Sequence, residues 1–282
     1  MQPKIMTHQD VLSILPDRKA DSHKGDYGKI LLICGAVGFT GAPVLASMGA
    51  LRCGAGLVFL AVPAEIYPIV AGKLMEPVIY PLPGEAGRVS TSAIPFIDWL
   101  LADKDAVLVG PGLGRNDALE EILCHIAQSY TGSLVLDADG INHMASHKDI
   151  LRGRTGPTIL TPHMGEFQRL GGNIDLPRNA SAMEVANELG AVIVLKGHRT
   201  IITDGTRIYE NPTGNPGMAV GGSGDVLAGM VTAFLGQGIP PLESAAASCW
   251  LHGKAGDLAA EKLGQYAMLP TDMIQELPRL LK

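Results

Sequence analysis

Basic residues are scarce in this sequence. Its 282 residues include 22 Lys and Arg against 28 Asp and Glu, which gives a net charge of -6. A protein that neutralises the phosphates along a duplex needs a basic face, so the composition argues against nucleic acid as the main partner. A small phosphorylated ligand is not excluded, because a few backbone N–H groups are enough to hold one.

Features of secreted, metal-binding and membrane proteins are also missing. The four cysteines form no C-x-x-C pair and none has a His at metal-ligand spacing, so we interpret them as buried small hydrophobes in a reducing compartment. Residues 1–16 lack the continuous apolar stretch of a signal peptide. No apolar run approaches the roughly 20 residues that a membrane helix needs. We therefore predict a cytoplasmic protein with no membrane partner.

The two commonest phosphate-binding signatures are absent. The sequence contains no G-x-x-x-x-G-K-[ST] segment and no G-x-G-x-x-G segment that opens a βαβ unit. Neither a Walker-type loop nor a dinucleotide fingerprint is therefore predicted.

Short apolar runs alternate with helical patterns along the chain. The runs typical of buried parallel strands lie at residues 30–34, 57–62, 106–109, 133–136, 158–160 and 192–195. Each ends in Gly, Pro or Asp and leads towards a helix, which predicts a mostly parallel sheet covered on both faces. Ligands bind beyond the carboxyl ends of such strands.

The segment around Asp204-Gly205 breaks this pattern. Residues 200–203 and 206–209 alternate with period two on either side of the Asp-Gly pair, which predicts an antiparallel hairpin at one edge of the sheet. Small-residue-rich helices are expected at residues 42–52, 225–235 and 242–263. No repeat or linker interrupts the chain, so we predict one domain over residues 1–282.

The glycine-rich loop at residues 221–225 is the strongest candidate for chemistry. It runs directly into a helix, whose unpaired N–H groups and dipole make an anion site. Asp225 has two interpretations, a helix N-cap and a general base beside the anion. A carboxylate at the mouth of a phosphate site repels phosphate, which favours the catalytic interpretation.

Other loops at predicted strand ends leave two interpretations open. The glycines of residues 35–42 and 110–114 would let a ligand lie against the backbone, or would allow close packing of helix on strand. His163 is either a helix cap or a substrate contact, since too few ligands lie nearby for a metal. Lys196 either neutralises phosphate or is a solvated lysine, and Asp137 and Asp139 either orient Mg²⁺ through water or are ordinary turn residues.

Taken in order, these segments resemble a known family. The motifs lie at residues 23–28, 35–42, 110–114, 136–139, 160–166, 194–197 and 221–229. This series is similar to that of the ADP-dependent NAD(P)H-hydrate dehydratases of the ribokinase-like superfamily, from about His23 to Gln265. The resemblance implies a ribokinase-like three-layer α/β/α fold. In many relatives an epimerase domain precedes this one, and here we expect a single dehydratase domain without a fused epimerase.

The resemblance also implies a reaction. ADP would phosphorylate the C6 hydroxyl of hydrated NADH or NADPH, in the presence of Mg²⁺, leaving AMP. Elimination of phosphate would then restore the normal dinucleotide. Bacterial-type members use ADP and eukaryotic members usually use ATP. The implied partners are these small molecules, further copies of the chain in a tetramer, and a separate epimerase.

Residue roles follow from the same resemblance. Asp225 would be the catalytic base, and the backbone at Gly222, Ser223 and Gly224 would hold the transferred phosphoryl group. The residues that match the family's contacts to hydrated dinucleotide are Ala42, Gly112, His163 and Asp225. Those that match its adenine-nucleotide contacts are Lys196, Gly197, His198, Arg199, Thr200 and Gly224. No protein-held metal site is expected.

Two alternatives use the same fold and glycine-rich loop. A small-molecule kinase acting on a thiazole or pyrimidine vitamin precursor would release a stable phosphorylated product instead of phosphate. A non-catalytic nucleotide-binding regulator would keep the glycines and lose the base. Because Asp225 is present and the full set of motifs matches, the sequence favours the dehydratase.

Overall fold

The computed structural model describes residues 2–282. The strands formed by these residues, β1 to β11 in chain order, are Lys29–Ile33, Leu57–Pro63, Val78–Leu82, Gly84–Glu85, Arg88–Val89, Ala106–Val109, Ser133–Leu136, Thr158–Leu160, Val192–Leu195, Ile201–Thr203 and Ile208–Glu210. The α-helices of the same residues, α1 to α12, are His8–Ile14, Gly41–Arg52, Tyr67–Ala71, Ile94–Leu101, Asp117–Ser129, Asp139–Met144, Lys148–Arg152, Met164–Arg169, Arg178–Leu189, Ser223–Gly236, Pro241–Leu263 and Pro270–Leu280.

One sheet organises the chain. Within residues 2–282 its strand order is β11-β10-β9-β8-β7-β6-β1-β2-β3. The pairs from β3 across to β9 are parallel, and β10 pairs antiparallel with both β9 and β11. Strands β2 and β6 flank β1 on opposite sides, so the direction of winding reverses between β1 and β6. A crevice for a ligand forms beyond the carboxyl ends of strands at such a point.

Alternate residues of the buried strands face two separate cores. In β1, Ile30 and Leu32 belong to one apolar cluster, and Leu31 and Ile33 belong to the other. Helices α2, α10 and α11 cover the first face, and α4, α5 and α9 cover the second. Burial on both faces explains why these strands are continuous apolar runs in the sequence. The predicted three-layer α/β/α arrangement with an antiparallel edge hairpin is confirmed.

The hairpin differs in detail from its prediction. The sequence predicts a two-residue turn at Asp204-Gly205, but β10 ends at Thr203 and β11 begins at Ile208, with Thr203 opposite Ile208. The side chain of Asp204 accepts hydrogen bonds from the N–H groups of Thr206 (3.0 Å) and Arg207 (2.7 Å). These bonds stabilise a wider four-residue turn, which period-two alternation does not reveal.

The sequence analysis does not predict β3 or the short hairpin formed by β4 and β5. Strand β3 contains Pro81 and lies at the edge of the sheet, where a missing N–H is tolerated. The β4–β5 hairpin consists of two residues on each strand, too short to leave a periodic pattern. The β4–β5 hairpin lies beside the loop that follows β1, because Val37 N donates to Gly87 O at 2.8 Å.

Helices α2 and α10 pack backbone against backbone. A Cβ atom built on Gly49 of α2 would lie 2.5 Å from the carbonyl oxygen of Val226, and one on Gly229 of α10 would lie 2.0 Å from that of Ala46. Only glycine permits this approach. The contact places the amino ends of the two helices, with Ala42 and Asp225, beside the same edge of the sheet.

Among the described residues, no helix combines the length and apolar character needed to cross a membrane.

Substitution of Gly229 tests the close contact of α2 with α10. Gly229→Ala is expected to destabilise the protein by about 3 kcal/mol, because the new methyl group overlaps a backbone oxygen that has no rotamer by which to move away. Gly41→Ala is the control, since no atom lies within 4 Å of its added Cβ. Urea unfolding measures both variants. Equal stability of the two would contradict the packing described here.

Candidate active site

The loops at the carboxyl ends of the parallel strands are bonded to one another. After β1, Gly35 N donates to Pro111 O at 2.8 Å, and after β9, Lys196 N donates to Pro162 O at 2.8 Å. Gly110, after β6, lies so close to the chain after β7 that an added Cβ would be 1.8 Å from Asp137 O. The predicted convergence of these loops at one edge of the sheet is therefore observed.

A buried ion pair lies at the centre of this edge. Lys196 Nζ donates to Asp137 Oδ1 at 2.7 Å, and the hydroxyl of Thr161 donates to the same oxygen at 2.7 Å. Asp137 is 1% exposed. Burial alone lowers the pKa of Lys196, but Asp137, Glu166 and Asp225 outweigh it and raise that pKa, so the lysine is charged. The interpretation of Lys196 as a solvated lysine is wrong, because its ammonium group is committed to this pair.

The chain beside Asp137 is strained. Ala138 has φ 49 and ψ -116, a conformation that L residues rarely adopt. It turns the backbone between Asp137, which faces Lys196, and Asp139, whose carboxylate accepts a hydrogen bond from Gly114 N at 2.8 Å. Such strain persists only where the surroundings enforce it and is concentrated at functional sites. Asp137 and Asp139 are thus both held by specific contacts.

The amino end of α10 provides free backbone donors. Gly222 caps the helix with φ 96, where an added Cβ would lie 2.4 Å from Leu45 Cδ1. Ser223 N donates to Val220 O at 3.3 Å, and the first intrahelical bond runs from Val226 N to Gly222 O. Within the described chain, the N–H groups of Gly224 and Asp225 have no hydrogen-bond partner. These two groups, with the helix dipole, form an anion site.

Asp225 is not the helix N-cap. It is the third residue of α10, and Gly222 holds the capping position, so the N-cap interpretation is wrong. Burial raises the pKa of Asp225 to about 7, Asp137 raises it as well, and Lys196 opposes both. A carboxyl group that titrates near neutrality is suited to general-base catalysis. Such a shift is also typical of functional sites.

The anion site and the ion pair are adjacent. A Cβ built on Gly224 would lie 3.5 Å from Lys196 Nζ, so the lysine faces the free N–H groups. The hydroxyl of Ser223 lies 3.4 Å from His252 Nε2. Burial lowers the pKa of His252 to about 4, and the charge of Lys196 lowers it as well, so its ring is neutral at physiological pH.

His163 caps a helix. It is the N-cap of α8, where its Nδ1 accepts a hydrogen bond from Gly165 N at 3.0 Å, and its own N–H donates to Glu166 Oε2 at 2.8 Å. This reciprocal pair is a capping box. The capping interpretation is thus observed, and the ring remains 58% exposed at the edge of the site. An exposed cap can also contact a ligand.

The structure brings Ala42 and Gly112 together. Gly112 has φ 65, and an added Cβ would lie 2.9 Å from Ala42 Cβ and 2.9 Å from Phe39 Cβ. The loop after β1 and the loop after β6 therefore touch at these residues. The close-packing interpretation of these glycine-rich segments is observed at Gly112, and their contact with a ligand stays a prediction.

Residues 196–200 form a tight exposed turn after β9. The hydroxyl of Thr200 donates to Gly197 O at 3.0 Å, and Arg199 lies at φ 55. Arg178 of α9 supports the turn, because its guanidinium donates to His198 O at 2.7 Å and to Leu195 O at 3.2 Å. Gly197, His198 and Arg199 are exposed.

No group of three or more His, Cys, Asp or Glu side chains within residues 2–282 is arranged to hold a metal ion. The carboxylate of Asp137 is engaged by Lys196 and Thr161.

Sequence reasoning missed Thr161 and Arg178. Each acts on a residue that is far away in the chain, 24 positions in the case of Thr161 and Asp137. Thr161 occurs in a motif that was recognised, so its place at a strand end was an available signal. Arg178 lies in a polar stretch of helix and carries no such signal.

Known proteins of one family match this chain along most of its length. A model of the NAD(P)H-hydrate dehydratase family matches residues 30–279. The chain belongs to this family. Among individual relatives, the ADP-dependent (S)-NAD(P)H-hydrate dehydratase of Listeria monocytogenes is 32% identical, and the match covers 99% of this chain and 96% of the relative. The crystal structure of the ADP/ATP-dependent NAD(P)H-hydrate dehydratase from Bacillus subtilis, co-crystallised with ATP/Mg²⁺, superposes with a TM-score of 0.83 at 30% identity, covering 99% and 98% of the two chains. The ribokinase-like fold is thereby confirmed.

The chain also resembles longer proteins. It is 42% identical to the bifunctional NAD(P)H-hydrate repair enzyme Nnr of Moorella thermoacetica, and the match covers 99% of this chain and 54% of that enzyme. The chain thus spans about half the length of the bifunctional relatives.

The raised pKa of Asp225 predicts a pH-dependent effect of Asp225→Asn on stability. The pKa of this carboxyl group is 3.8 in the unfolded chain and about 7 in the folded protein. The free energy of unfolding of the native protein therefore decreases as the pH rises from the first value to the second. We expect the free energy of unfolding of Asp225→Asn, minus that of the native protein, to be larger at about pH 8 than at about pH 4. The increase is at most about 4 kcal/mol. Thermal unfolding at both pH values measures the difference. Asp21→Asn, an exposed change of the same charge, is the control, and identical pH behaviour of the two variants would contradict the assignment.

Proposed function

We propose that this dehydratase restores NADH and NADPH from their hydrated forms, with ADP as the phosphoryl donor. The observation that carries the proposal is Asp225, a half-buried carboxyl group with a pKa of about 7 at the end of a helix whose N–H groups are free. A base and an anion site side by side are what transfer of a phosphoryl group to a hydroxyl requires.

In the first step Asp225 accepts the proton of the C6 hydroxyl. The hydroxyl oxygen attacks the β-phosphorus of ADP, the bond from that phosphorus to the bridging oxygen breaks, and AMP leaves. In the second step the C6–O bond breaks, phosphate departs with its electron pair, and loss of a proton from C5 forms the ring double bond. The products are the normal dinucleotide, AMP and phosphate.

The remaining contacts support the charge changes of these steps. The N–H groups of Gly224 and Asp225 face the position of the transferred phosphoryl group, and Lys196 contributes a positive charge beside Gly224. We assign the anion hole to Gly222, Ser223 and Gly224 as a loop, although the N–H of Ser223 is itself bonded to Val220. Preorganised donors of this kind act without reorganisation during the reaction.

Substrate contacts are assigned by position. Ala42 and Gly112 touch where the loops after β1 and β6 meet, and His163 borders the same crevice, so we assign the hydrated dinucleotide to this side of Asp225. The exposed turn at residues 196–200, together with Gly224, is assigned to the adenine nucleotide. The relative from Listeria is named as ADP-dependent, which supports ADP as the donor.

Further features of the protein remain predictions. We propose Mg²⁺ as a cofactor on the resemblance and on the ATP/Mg²⁺ of the Bacillus crystals, and no step above is routed through it. A cytoplasmic location, a single domain over residues 1–282 and cooperation with an epimerase are proposed likewise. A homotetramer is supported by the exposed apolar side chains at the ends of α11 and α12, which are Leu263, Tyr266 and Leu269.

The first test is recovery of absorbance at 340 nm from hydrated NADH, with Mg²⁺ and either ADP or ATP. Recovery that needs the nucleotide and releases one phosphate per dinucleotide is the expected result, and the more active nucleotide identifies the donor. Absence of recovery with both nucleotides would overturn the proposal and favour a small-molecule kinase. The family match does not favour that alternative.

Asp225→Asn is expected to lower turnover by about 10²–10⁴-fold, because the base is lost while the helix end remains. Binding of ADP, measured by calorimetry, is expected to remain within about two-fold, since the backbone donors are unchanged. The exposed Asp21→Asn again serves as a control of equal charge. If Asp225→Asn retained most of the turnover, the carboxylate would have no role in proton transfer.

A further inference from the structure

One arginine beside the site lacks a partner. Arg88 lies in β5, and its Nε is buried without a hydrogen-bond partner in residues 2–282. The ion pairs of the described chain do not include it. A buried donor of a charged group that has no acceptor raises the free energy of the folded protein. We therefore expect an acceptor from outside the chain to bind this nitrogen.

The β4–β5 hairpin fixes the position of Arg88. Gly87 O in its turn accepts a hydrogen bond from Val37 N at 2.8 Å, and Gly87 N donates to Glu65 Oε1 at 3.3 Å. Val37 belongs to the loop that leads from β1 to Ala42. The hairpin is therefore attached to one of the loops that we assign to the hydrated dinucleotide.

On its other side the guanidinium lies against the loop after β6. A Cβ built on Gly114 would lie 2.8 Å from Arg88 Nε, so the glycine makes room for the arginine. Gly114 follows Gly112 by two residues, which places their Cα atoms roughly 7 Å apart or less. Arg88 thus lies against the loop in which Gly112 contacts Ala42.

Charge complementarity identifies the kind of ligand. The centre of the site holds the carboxylates of Asp137, Glu166 and Asp225, and the single ammonium group that acts on all three, Lys196, is paired with Asp137. A dinucleotide brings the negative charges of its diphosphate into these surroundings. Arginine binds phosphate oxygens through a planar fork of donors, so a free guanidinium at this border is suited to that group.

We propose that Arg88 binds a phosphate of the hydrated dinucleotide and determines the preference of the enzyme for dinucleotide over smaller hydrated nicotinamides. This inference rests on the proposed function. The phosphate is either part of the diphosphate, common to hydrated NADH and NADPH, or the 2′-phosphate of hydrated NADPH, and the experiment below separates the two.

Kinetics of Arg88→Gln test the proposal. The KM for hydrated NADH is expected to rise about 10- to 100-fold, the range for loss of a charge-assisted hydrogen bond, with kcat within about two-fold and the KM for ADP unchanged. Arg88→Lys keeps the positive charge and loses the planar set of donors. Its KM for hydrated NADH is expected to lie between those of the native protein and Arg88→Gln. Arg52→Gln is the control, because Arg52 is an exposed arginine at the far end of α2.

A truncated substrate gives the decisive comparison. With the hydrated form of reduced nicotinamide riboside, which has no phosphate, Arg88→Gln and the native enzyme are expected to have equal kcat/KM. A large effect on hydrated NADPH with none on hydrated NADH would assign Arg88 to the 2′-phosphate. An equal loss on all three substrates, or no loss on any, would overturn the proposal, since a merely structural role of Arg88 does not depend on phosphate.

Binding of NADH and NADPH to the same variants keeps this test independent of turnover. Both contain the diphosphate, so calorimetry is expected to show weaker binding to Arg88→Gln than to Arg52→Gln. If the native protein were inactive and this difference in binding were still observed, the proposed dehydratase activity would be contradicted and the proposed phosphate site at Arg88 would be supported. If the two variants bound NADH and NADPH equally well, the proposed phosphate site at Arg88 would be overturned, whether or not the protein is active.

Discussion

Lys196 remains charged at the end of a buried strand because its ammonium group donates to Asp137, which also accepts a hydrogen bond from Thr161, and the rest of the site depends on this arrangement. The pair joins the ends of β7, β8 and β9, three strands whose loops are otherwise separate in the chain. It also fixes one positive charge beside the free N–H groups of α10. An unpaired lysine here would lose its charge or move into solvent, and the free N–H groups of α10 would lose the positive charge that lies beside Gly224.

The same pair governs Asp225. Asp137 repels a second negative charge, so it helps burial to hold the proton on Asp225, while Lys196 acts in the opposite direction. Burial is the largest of these effects, and the carboxyl group has a pKa of about 7 instead of the ordinary value for aspartate. A base in this range can accept a proton at physiological pH and still release it afterwards. The ion pair therefore influences the pKa of Asp225 through its two opposite charges.

The sequence predicts those parts of the structure that depend on local pattern. Strands such as β6 and β7 begin and end where their apolar runs do, because burial on both faces leaves no room for polar residues. The width of the 204–207 turn depends on one side chain, and the cap of α10 depends on Gly222 reaching a positive φ. The contacts of Thr161 and Arg88 join segments far apart in the chain, and only the folded sheet brings them together.

The backbone contact between α2 and α10 restricts which residues the chain can carry at this position. Backbone oxygens of each helix occupy the space where the other would carry a side chain, at Gly49 and at Gly229. A defect there has no compensating substitution, since no residue is smaller than glycine. The separation of the two helix axes at this contact is therefore set by main-chain atoms, and no exchange of one side chain for another can reduce it.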